Sequence, residues 1–359
     1  MNDAPGYAMN LAIGLAVTIS LATLFRLFQK HIDGRPLLEY EPRRPVPWNA
    51  LAPLVMLTPL LLVLWSALRT EPQLDPAAEA LTFLSSTTVG AVGGPPAARF
   101  TAQATAAPML DMSRRMADVG RIVAPMWVQS FTTILLAVGC YVLLAAAFAA
   151  TEIDLGLPRS LTQFWCDARI GATACAASLV PIYAILLVLN LIFQPTEGHP
   201  LIESLLTDHS LHMMTAAAFA AIVAAPIYEE TAFRLAFQGW LERRQMLAGD
   251  VNVIILPSQD ASTQTVPMVP LDQTDQPAPP QDVTYSYPRP GWWPIQISSV
   301  LFGLAHFGHG VAPTPLILLG IVLGYLYRQT HRITPCVVCH LLFNAFTFLL
   351  LVLQFAGAP

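Results

Sequence analysis

Charged residues are scarce in this sequence. Lys, Arg, Asp and Glu make up 11% of the 359 residues, whereas 55% are hydrophobic, and the mean hydropathy is +0.55. A soluble globular domain carries roughly a quarter charged residues. A water-soluble protein of this length could not cover its surface with so few charges. The composition therefore predicts an integral membrane protein with lipid as much of its solvent.

Other absences narrow the function classes. Only five cysteines are present, an odd number, and most lie in apolar runs, which argues against a secreted disulfide framework. The sequence has no internal repeat and no Gly-rich phosphate loop. It also lacks a basic patch interleaved with aromatics, so no nucleic-acid partner is expected.

Long hydrophobic runs dominate what is present. A helix needs roughly twenty mainly apolar residues to cross the hydrocarbon. The expected fold is all-α, a polytopic transmembrane helical bundle of about eight spans. The candidate runs are Met9–Phe28, Trp48–Leu68, Ile122–Ala150, Gly171–Phe193, Leu211–Tyr228 continuing into a longer helix, Trp293–Phe307, Pro313–Tyr327 and Pro335–Phe355.

The chain divides into two expected units. Residues 1–194 hold the first spans and a long loop, 70–121, that is rich in Ala, Thr, Pro and Gly. Residues 195–359 form a second membrane unit with an insert at about 248–290, rich in Gln, Asp, Pro and Thr. Both loops have the composition of flexible segments.

Positive charge and tryptophan predict the orientation of the spans. Lys and Arg are concentrated in alternate loops, which places both termini outside by the positive-inside rule. Trp48, Trp127 and the pair Trp292–Trp293 lie near expected span ends, where indole rings favour the membrane interface.

Three ionisable residues interrupt the fifth run, which reads AAPIYEETAFRLAF. Ionisable groups inside spans are costly and usually mark function. Glu230 and Arg234 are four residues apart and can pair on one helix face. Glu229 lies about 100° round the helix, which leaves its carboxylate free to handle protons. Alternatively, all three side chains anchor a helix end at the cytoplasmic interface.

The sixth run, QISSVLFGLAHFGHG, carries a histidine one helical turn after Phe302. His306 alone would more often be a hydrogen-bonded core residue than a catalyst. Gly303 permits close approach of another helix. His309 completes an H-x-x-H that suggests a metal site, although the flanking glycines favour the start of a loop.

The eighth run opens ITPCVVCHLLFNAF, in which His340 and Asn344 share a helix face. An imidazole and a carboxamide could donate hydrogen bonds to a developing oxyanion. Interhelical hydrogen bonding is the alternative. Cys336, Cys339 and His340 also spell the C-x-x-C-H of c-type haem attachment, but they fall at the expected inner end of a span, whereas haem attachment needs an outer-face segment.

These motifs resemble a known family. E-E-x-x-x-R, F-x-x-x-H and H-x-x-x-N, in this order on late helices, are similar to the CAAX protease and bacteriocin-processing (CPBP, or Abi) family, which includes type II CAAX prenyl endopeptidases. The resemblance covers roughly Leu201 to Phe355. Leu235 departs from the glycine that often follows the motif arginine, and the insert is longer than usual. The resemblance implies a base, Glu229, assisted by His306, two oxyanion donors, His340 and Asn344, and the supporting residues Glu230, Arg234 and Phe302.

The activity implied by this resemblance is hydrolysis of a peptide bond in a membrane-associated or lipidated substrate. Glutamate and histidine would activate the water, and the expected partners are that substrate and the lipid bilayer, in a bacterial plasma membrane. No cofactor is expected because H-E-x-x-H is absent. Zinc is the alternative, since family members are often labelled metalloproteases. The competing functions are a non-catalytic immunity or scaffold protein and, less favoured, a transporter, for which matching halves with broken helices are missing.

Overall fold

The structure is a computed structural model that describes residues 4–59, 107–193, 210–249, 252–255, 283–307 and 313–356. Within these residues the chain is a bundle of helices, which confirms the all-α membrane fold. The helices are α1 (Ala4–Ile32), α2 (residues 51–59), α3 (Ala107–Phe148), α4 (Leu161–Phe193), α5 (Leu211–Ala248), α6 (Trp293–Leu304), α7 (Pro313–Thr330) and α8 (Thr334–Ala356).

Five of the described helices, α1, α3, α4, α5 and α8, contain stretches long and apolar enough to cross a membrane. Large apolar side chains on α1, α3 and α4 are exposed, as expected where lipid rather than water covers the surface. Helix α6 is apolar but shorter. The second expected span continues into residues 60–68, which lie outside the described residues, so the expected number of about eight spans stays a prediction.

Both expected loops contain some regular structure at their ends. Helix α3 begins at Ala107, so the last part of loop 70–121 is helical, and residues 70–106 lie outside the described part. In the insert, β1 (Asn252–Ile255) pairs antiparallel with β2 (Val283–Ser286). Residues 256–282 between these strands are also outside the described part.

Helix α5 contains two π-helical segments. Residues Phe219–Ala224 and Glu230–Gln238 are π-helical, separated by the α-helical turn Ala225–Glu229. Pro226 has no N–H to donate to the preceding turn, which accounts for the irregular winding before it. π-Helical turns are rare and often occur at functional sites. The second π segment starts at the motif glutamate, Glu230.

The core lies where α5, α6, α7 and α8 meet. Phe233 on α5 packs edge-on against Phe302 on α6, with ring centroids 5.3 Å apart. Leu319 and Leu323 on α7 are completely buried beside them. Helix α6 approaches α7 closely at Gly303, where an added Cβ would lie 2.7 Å from the carbonyl oxygen of Pro313. The expected role of Gly303 in close helix contact is confirmed.

The segment before α2 corrects one expectation from the sequence. Trp48 is 0% exposed, and its indole Nε1 donates to the carbonyl oxygen of Ala236 at 3.1 Å. The ring also lies against Gly239, where an added Cβ would meet it at 3.2 Å. Trp48 is therefore a core residue that ties this segment to α5, because its N–H finds a buried acceptor, and is not an interfacial ring.

Candidate active site

Glu229 lies between two imidazole rings from different helices. Its Oε1 is 3.9 Å from Nε2 of His306, and its Oε2 is 3.7 Å from Nε2 of His340. The side chain of Glu229 is 14% exposed and that of His306 is 23% exposed. The structure thus brings three of the four expected catalytic residues together from α5, from the turn that ends α6, and from α8.

The backbone of α6 fixes the orientation of His306. Its Nδ1 is 2.9 Å from the carbonyl oxygen of Phe302, one turn earlier. A carbonyl oxygen only accepts, so Nδ1 carries the proton and donates. In the neutral ring the lone pair is then on Nε2. That nitrogen is the one that faces Glu229.

A buried ion-pair chain holds His340. Its Nδ1 lies 2.8 Å from Oε1 of Glu230, and Oε2 of Glu230 lies 3.3 Å from Nε of Arg234. Arg234 also donates to the carbonyl oxygen of Gly320 on α7 at 3.3 Å. Glu230 and Arg234 are completely buried, as charged side chains are when they are paired. The expected pairing of Glu230 with Arg234 is confirmed.

Phe302 occupies the centre of this cluster. The guanidinium carbon of Arg234 is 4.5 Å from the Phe302 ring centroid, in cation–π geometry. The rings of His306 and His340 are 5.2 and 5.7 Å away, both edge-on. Because Phe302 is fully buried, it limits how far either imidazole can turn.

Asn344 has a different contact from the other three expected residues. Its Nδ2 donates at 2.8 Å to the carbonyl oxygen of Ala221, in the first π segment of α5. Ala221 precedes Glu229 by about two helical turns, or ~12 Å along the axis. The interhelical hydrogen bond considered as an alternative is therefore present. One N–H of the carboxamide is not used in that bond.

A row of polar residues extends from Glu230 along α5. Gln238 and Glu242 follow Glu230 and Arg234 at four-residue intervals, and all four are buried. Nε2 of Gln238 donates to Oε1 of Glu242 at 2.8 Å and to the carbonyl oxygen of Gly324 at 2.9 Å. The sequence analysis did not single out Gln238 or Glu242, although the four-residue repeat was visible.

This row ends in a second buried polar cluster. Oε2 of Glu242 is 3.6 Å from the Arg43 guanidinium and 3.5 Å from Nδ1 of His331. Arg43 also donates to the hydroxyl of Tyr327 at 3.0 Å. Burial, followed by the charge of Arg43, lowers the pKa of His331 to about 4, against the opposing effect of Glu242. His331 is therefore neutral at neutral pH.

The sequence raised two cofactor hypotheses, a bound metal ion and a covalently attached haem. Among the described residues, no group of three or more His, Cys, Asp or Glu is placed to hold a metal ion, and His309 lies outside them. Metal independence stays a prediction.

The two cysteines of the haem-attachment pattern are buried. Cys336 and Cys339 are 0% exposed, and Cys336 Sγ donates to the carbonyl oxygen of Leu323. Such thiols are not accessible for covalent haem attachment.

Comparison with known proteins finds a family match in the C-terminal part of the chain. Residues 281–346 match the family model described as type II CAAX prenyl endopeptidase Rce1-like. The match contains the second and third motifs. The first motif, Glu229 to Arg234, lies before the start of the match. No curated protein and no solved structure matches the chain. The family match confirms the resemblance drawn from the motifs, and residues 281–346 of this helical membrane protein are similar to the type II CAAX prenyl endopeptidases.

Proposed function

We propose that this protein is an intramembrane endopeptidase in which Glu229 and His306 activate a water molecule. The separation of 3.9 Å between Oε1 of Glu229 and Nε2 of His306 carries the proposal. It is too long for a direct hydrogen bond, whereas one water can lie about 2.8 Å from both atoms. A carboxylate oxygen and a neutral imidazole nitrogen both accept, so the water donates both protons and turns a lone pair outward.

The reaction follows from this arrangement. The oxygen of the water attacks the peptide carbonyl, and its proton passes to the Glu229 carboxylate. The tetrahedral intermediate collapses as the C–N bond breaks, and the same proton, relayed from Glu229, neutralises the departing amine. One carboxylic acid and one amine leave, and no acyl-enzyme forms.

His340 is the proposed donor to the oxyanion. Its Nδ1 proton is committed to Glu230, so donation through Nε2 requires the doubly protonated ring. Such an imidazolium lies between the carboxylates of Glu229 and Glu230. With Arg234 paired to Glu230, the cluster then contains two positive and two negative charges, which suits a buried site. Asn344, one turn from His340, is proposed as the second donor through its remaining N–H.

Membrane burial and the family match support the proposed substrate class. The polar cluster is carried by helices whose outer faces are apolar, so a peptide must reach it from the bilayer or from one membrane face. We propose a membrane-associated or lipidated peptide or protein as the substrate, cleaved at the inner face of a bacterial plasma membrane.

Zinc remains the mechanistic alternative. Each histidine has its Nδ1 held by an acceptor, which is also how zinc-ligating histidines are oriented. If zinc were bound there, the site would gain a Lewis acid for the attacking water. The glutamate mechanism predicts that a chelator leaves cleavage unchanged. Loss of cleavage with chelator and its recovery with zinc would overturn this mechanism but not the protease assignment.

Comparison of membrane peptides tests the function itself. Cells with the native protein and cells with Glu229→Gln, at matched expression, should differ in the termini of specific membrane peptides. Glu152→Gln changes an exposed glutamate outside the site and is the control. Identical peptide termini in the native and Glu229→Gln cells would instead favour an immunity or scaffold role.

A further inference from the structure

An apolar cavity of about 640 Å³ lies between α1, α4 and α7. This volume is in the range of sites for small organic ligands. Its wall is formed mainly by aliphatic side chains, among them Leu24, Leu27, Ile182, Leu318, Val322 and Leu326.

Helix α7 separates this cavity from the Glu229 site. The carbonyl oxygen of Gly320 accepts from Arg234, so that side of α7 faces α5. Leu318 and Val322 line the cavity, and each is about 200° round the helix from Gly320. The cavity therefore opens on the opposite side of α7 and does not communicate with the proposed catalytic residues through that face.

The register of α1 against α4 places two basic residues at one end of the cavity. The backbone N–H of Val180 donates to Oγ of Ser20 at 3.2 Å, close to the middle of both helices. The helices run antiparallel, so Lys30, ten residues after Ser20, is level with Arg169, eleven residues before Val180. Along the helix axes, Lys30 and Arg169 lie about 15 Å from the Ser20–Val180 contact, which is half the hydrocarbon thickness. Lys30 and Arg169 both line the cavity at this level.

Aromatic residues complete the same end. Trp292 and Tyr325 line the cavity and stack with ring centroids 5.9 Å apart. Trp292 is 52% exposed, and the Arg328 guanidinium lies 5.0 Å from its ring. Tryptophan and tyrosine prefer the level of the lipid headgroups. The rim is thus interfacial in composition, and the wall beyond it is apolar.

The basic groups at the rim have donors to spare. Lys30 Nζ donates to the carbonyl oxygen of Leu37 at 3.1 Å, and an ammonium group has three donors. Arg169 is exposed, and no carboxylate within the described ranges lies at ion-pair distance from its guanidinium. The neighbouring Asp167 is paired with Arg332 at 2.8 Å. The rim therefore complements a negative charge.

We propose that this cavity binds one anionic phospholipid of the leaflet on this side, with an acyl chain in the cavity and its phosphate at Lys30 and Arg169. A zwitterionic lipid fills the cavity equally well but brings a positive group to a positive rim. The basic rim thus sets the preference for headgroups of net negative charge. The apolar wall sets the affinity for the acyl chain. The inference does not depend on the proposed hydrolysis.

Native mass spectrometry of the delipidated full-length protein tests the proposal. The titrated probes are phosphatidylglycerol and phosphatidylcholine with identical acyl chains. The native protein should bind phosphatidylglycerol about tenfold more tightly, and Lys30→Gln/Arg169→Gln should remove that preference, because each basic residue at a membrane surface strengthens binding to anionic lipid. The control Arg26→Gln/Arg35→Gln alters two basic residues of the same region that do not line the cavity, and should keep the preference.

A second variant tests whether the apolar wall of the cavity binds the acyl chain. Ala177→Phe fills the cavity and should weaken both lipids at least about fivefold, with an unchanged gel-filtration profile. Equal binding of the two lipids by the native protein would overturn the proposal, as would an unchanged preference in the double variant. Competition by inorganic phosphate alone would make the site a free-anion site. Displacement of the lipid by a prenylated peptide would make it a substrate groove, and either result would reject a phospholipid as the occupant.

Discussion

The ring of His340 on α8 donates through Nδ1 to Oε1 of Glu230 on α5, across 2.8 Å. This bond gives the two adjacent glutamates different surroundings. Glu230 is occupied on one oxygen by His340 and on the other by Arg234. Glu229, one residue earlier, faces the Nε2 atoms of two histidines and keeps both oxygens at more than 3.5 Å from them. In the proposed mechanism Glu230 is therefore a positioning residue, and Glu229 is the carboxylate that contacts the water.

Replacing Glu229 by glutamine tests the base. The amide keeps the shape of the side chain but cannot take a proton, so cleavage should fall by roughly 10²- to 10⁴-fold. Turnover of an identified membrane peptide by purified protein in vesicles is the measurement. Thermal stability should change little, because no side chain in the described part of the protein donates a hydrogen bond to the Glu229 carboxylate at normal distance. Native-like turnover in this variant would remove Glu229 from the mechanism.

His306 should affect turnover more than stability. Its side chain is 23% exposed, and its Nδ1 donates to the carbonyl oxygen of Phe302 on its own helix. His306→Asn should lower kcat roughly 100-fold with a small change in KM, since in the proposed mechanism His306 orients water rather than substrate. The control is His31→Asn, which changes an exposed histidine at the end of α1. Equal losses in both variants would point to a general effect on folding.

Arg234 should be required for stability. Arg234→Met leaves the fully buried Glu230 carboxylate without its cation, which typically costs 3–5 kcal/mol. Thermal unfolding in detergent is the measurement. Adding Glu230→Gln should recover part of the loss, because the buried charge is then removed. A double variant no more stable than Arg234→Met would show that the pair is not coupled.

The buried His331 should make stability depend on pH. Its pKa is about 4 in the folded protein, below the ordinary value of about 6.5 in the unfolded chain. Between these values the unfolded chain binds more protons, so the free energy of unfolding rises with pH across this window. The contribution of His331 to the free energy of unfolding is fully present above pH 6.5. It is lost as the pH falls towards 4, and its size is on the order of 3 kcal/mol.

Replacement of His331 isolates this effect from its charged neighbours. Glu242, Arg43, Tyr327 and Tyr40 surround the ring. His331→Gln should flatten the dependence of the unfolding temperature on pH between about 4 and 6.5, whereas His31→Gln should not. An identical slope in His331→Gln and the native protein would assign the dependence to another group.

Gly303 should be intolerant of a side chain. In Gly303→Ala the new Cβ would lie 2.7 Å from the carbonyl oxygen of Pro313, so α6 and α7 must separate. We expect a loss of about 1–3 kcal/mol in stability, and reduced activity because His306 follows on the same element. Gly139→Ala is the matched control, since nothing lies within 4 Å of its added Cβ. Comparable stability of the two variants would contradict close packing at Gly303.

Several features of the site could be predicted from local spacing. The pairing of Glu230 with Arg234 follows from a four-residue offset, and Phe302 lies one turn before His306 for the same reason. The role of Trp48 could not be predicted this way, because its acceptor, the carbonyl of Ala236, is far away in the chain. Nor did spacing reveal that Asn344 donates to Ala221, since the π segment that offers this carbonyl has no clear signature in the residues.

The sequence by itself determined the class of protein and the polar residues of its last helices, because lipid solvation demands long apolar runs and leaves each ionisable interruption conspicuous. Tertiary structure decided which atoms meet. The distances from Glu229 to His306 and His340 depend on how α5, α6 and α8 pack. The meeting of Lys30 and Arg169 at the cavity rim depends on the register of α1 against α4. Such contacts join residues distant in the chain, and only the packed helices bring them together.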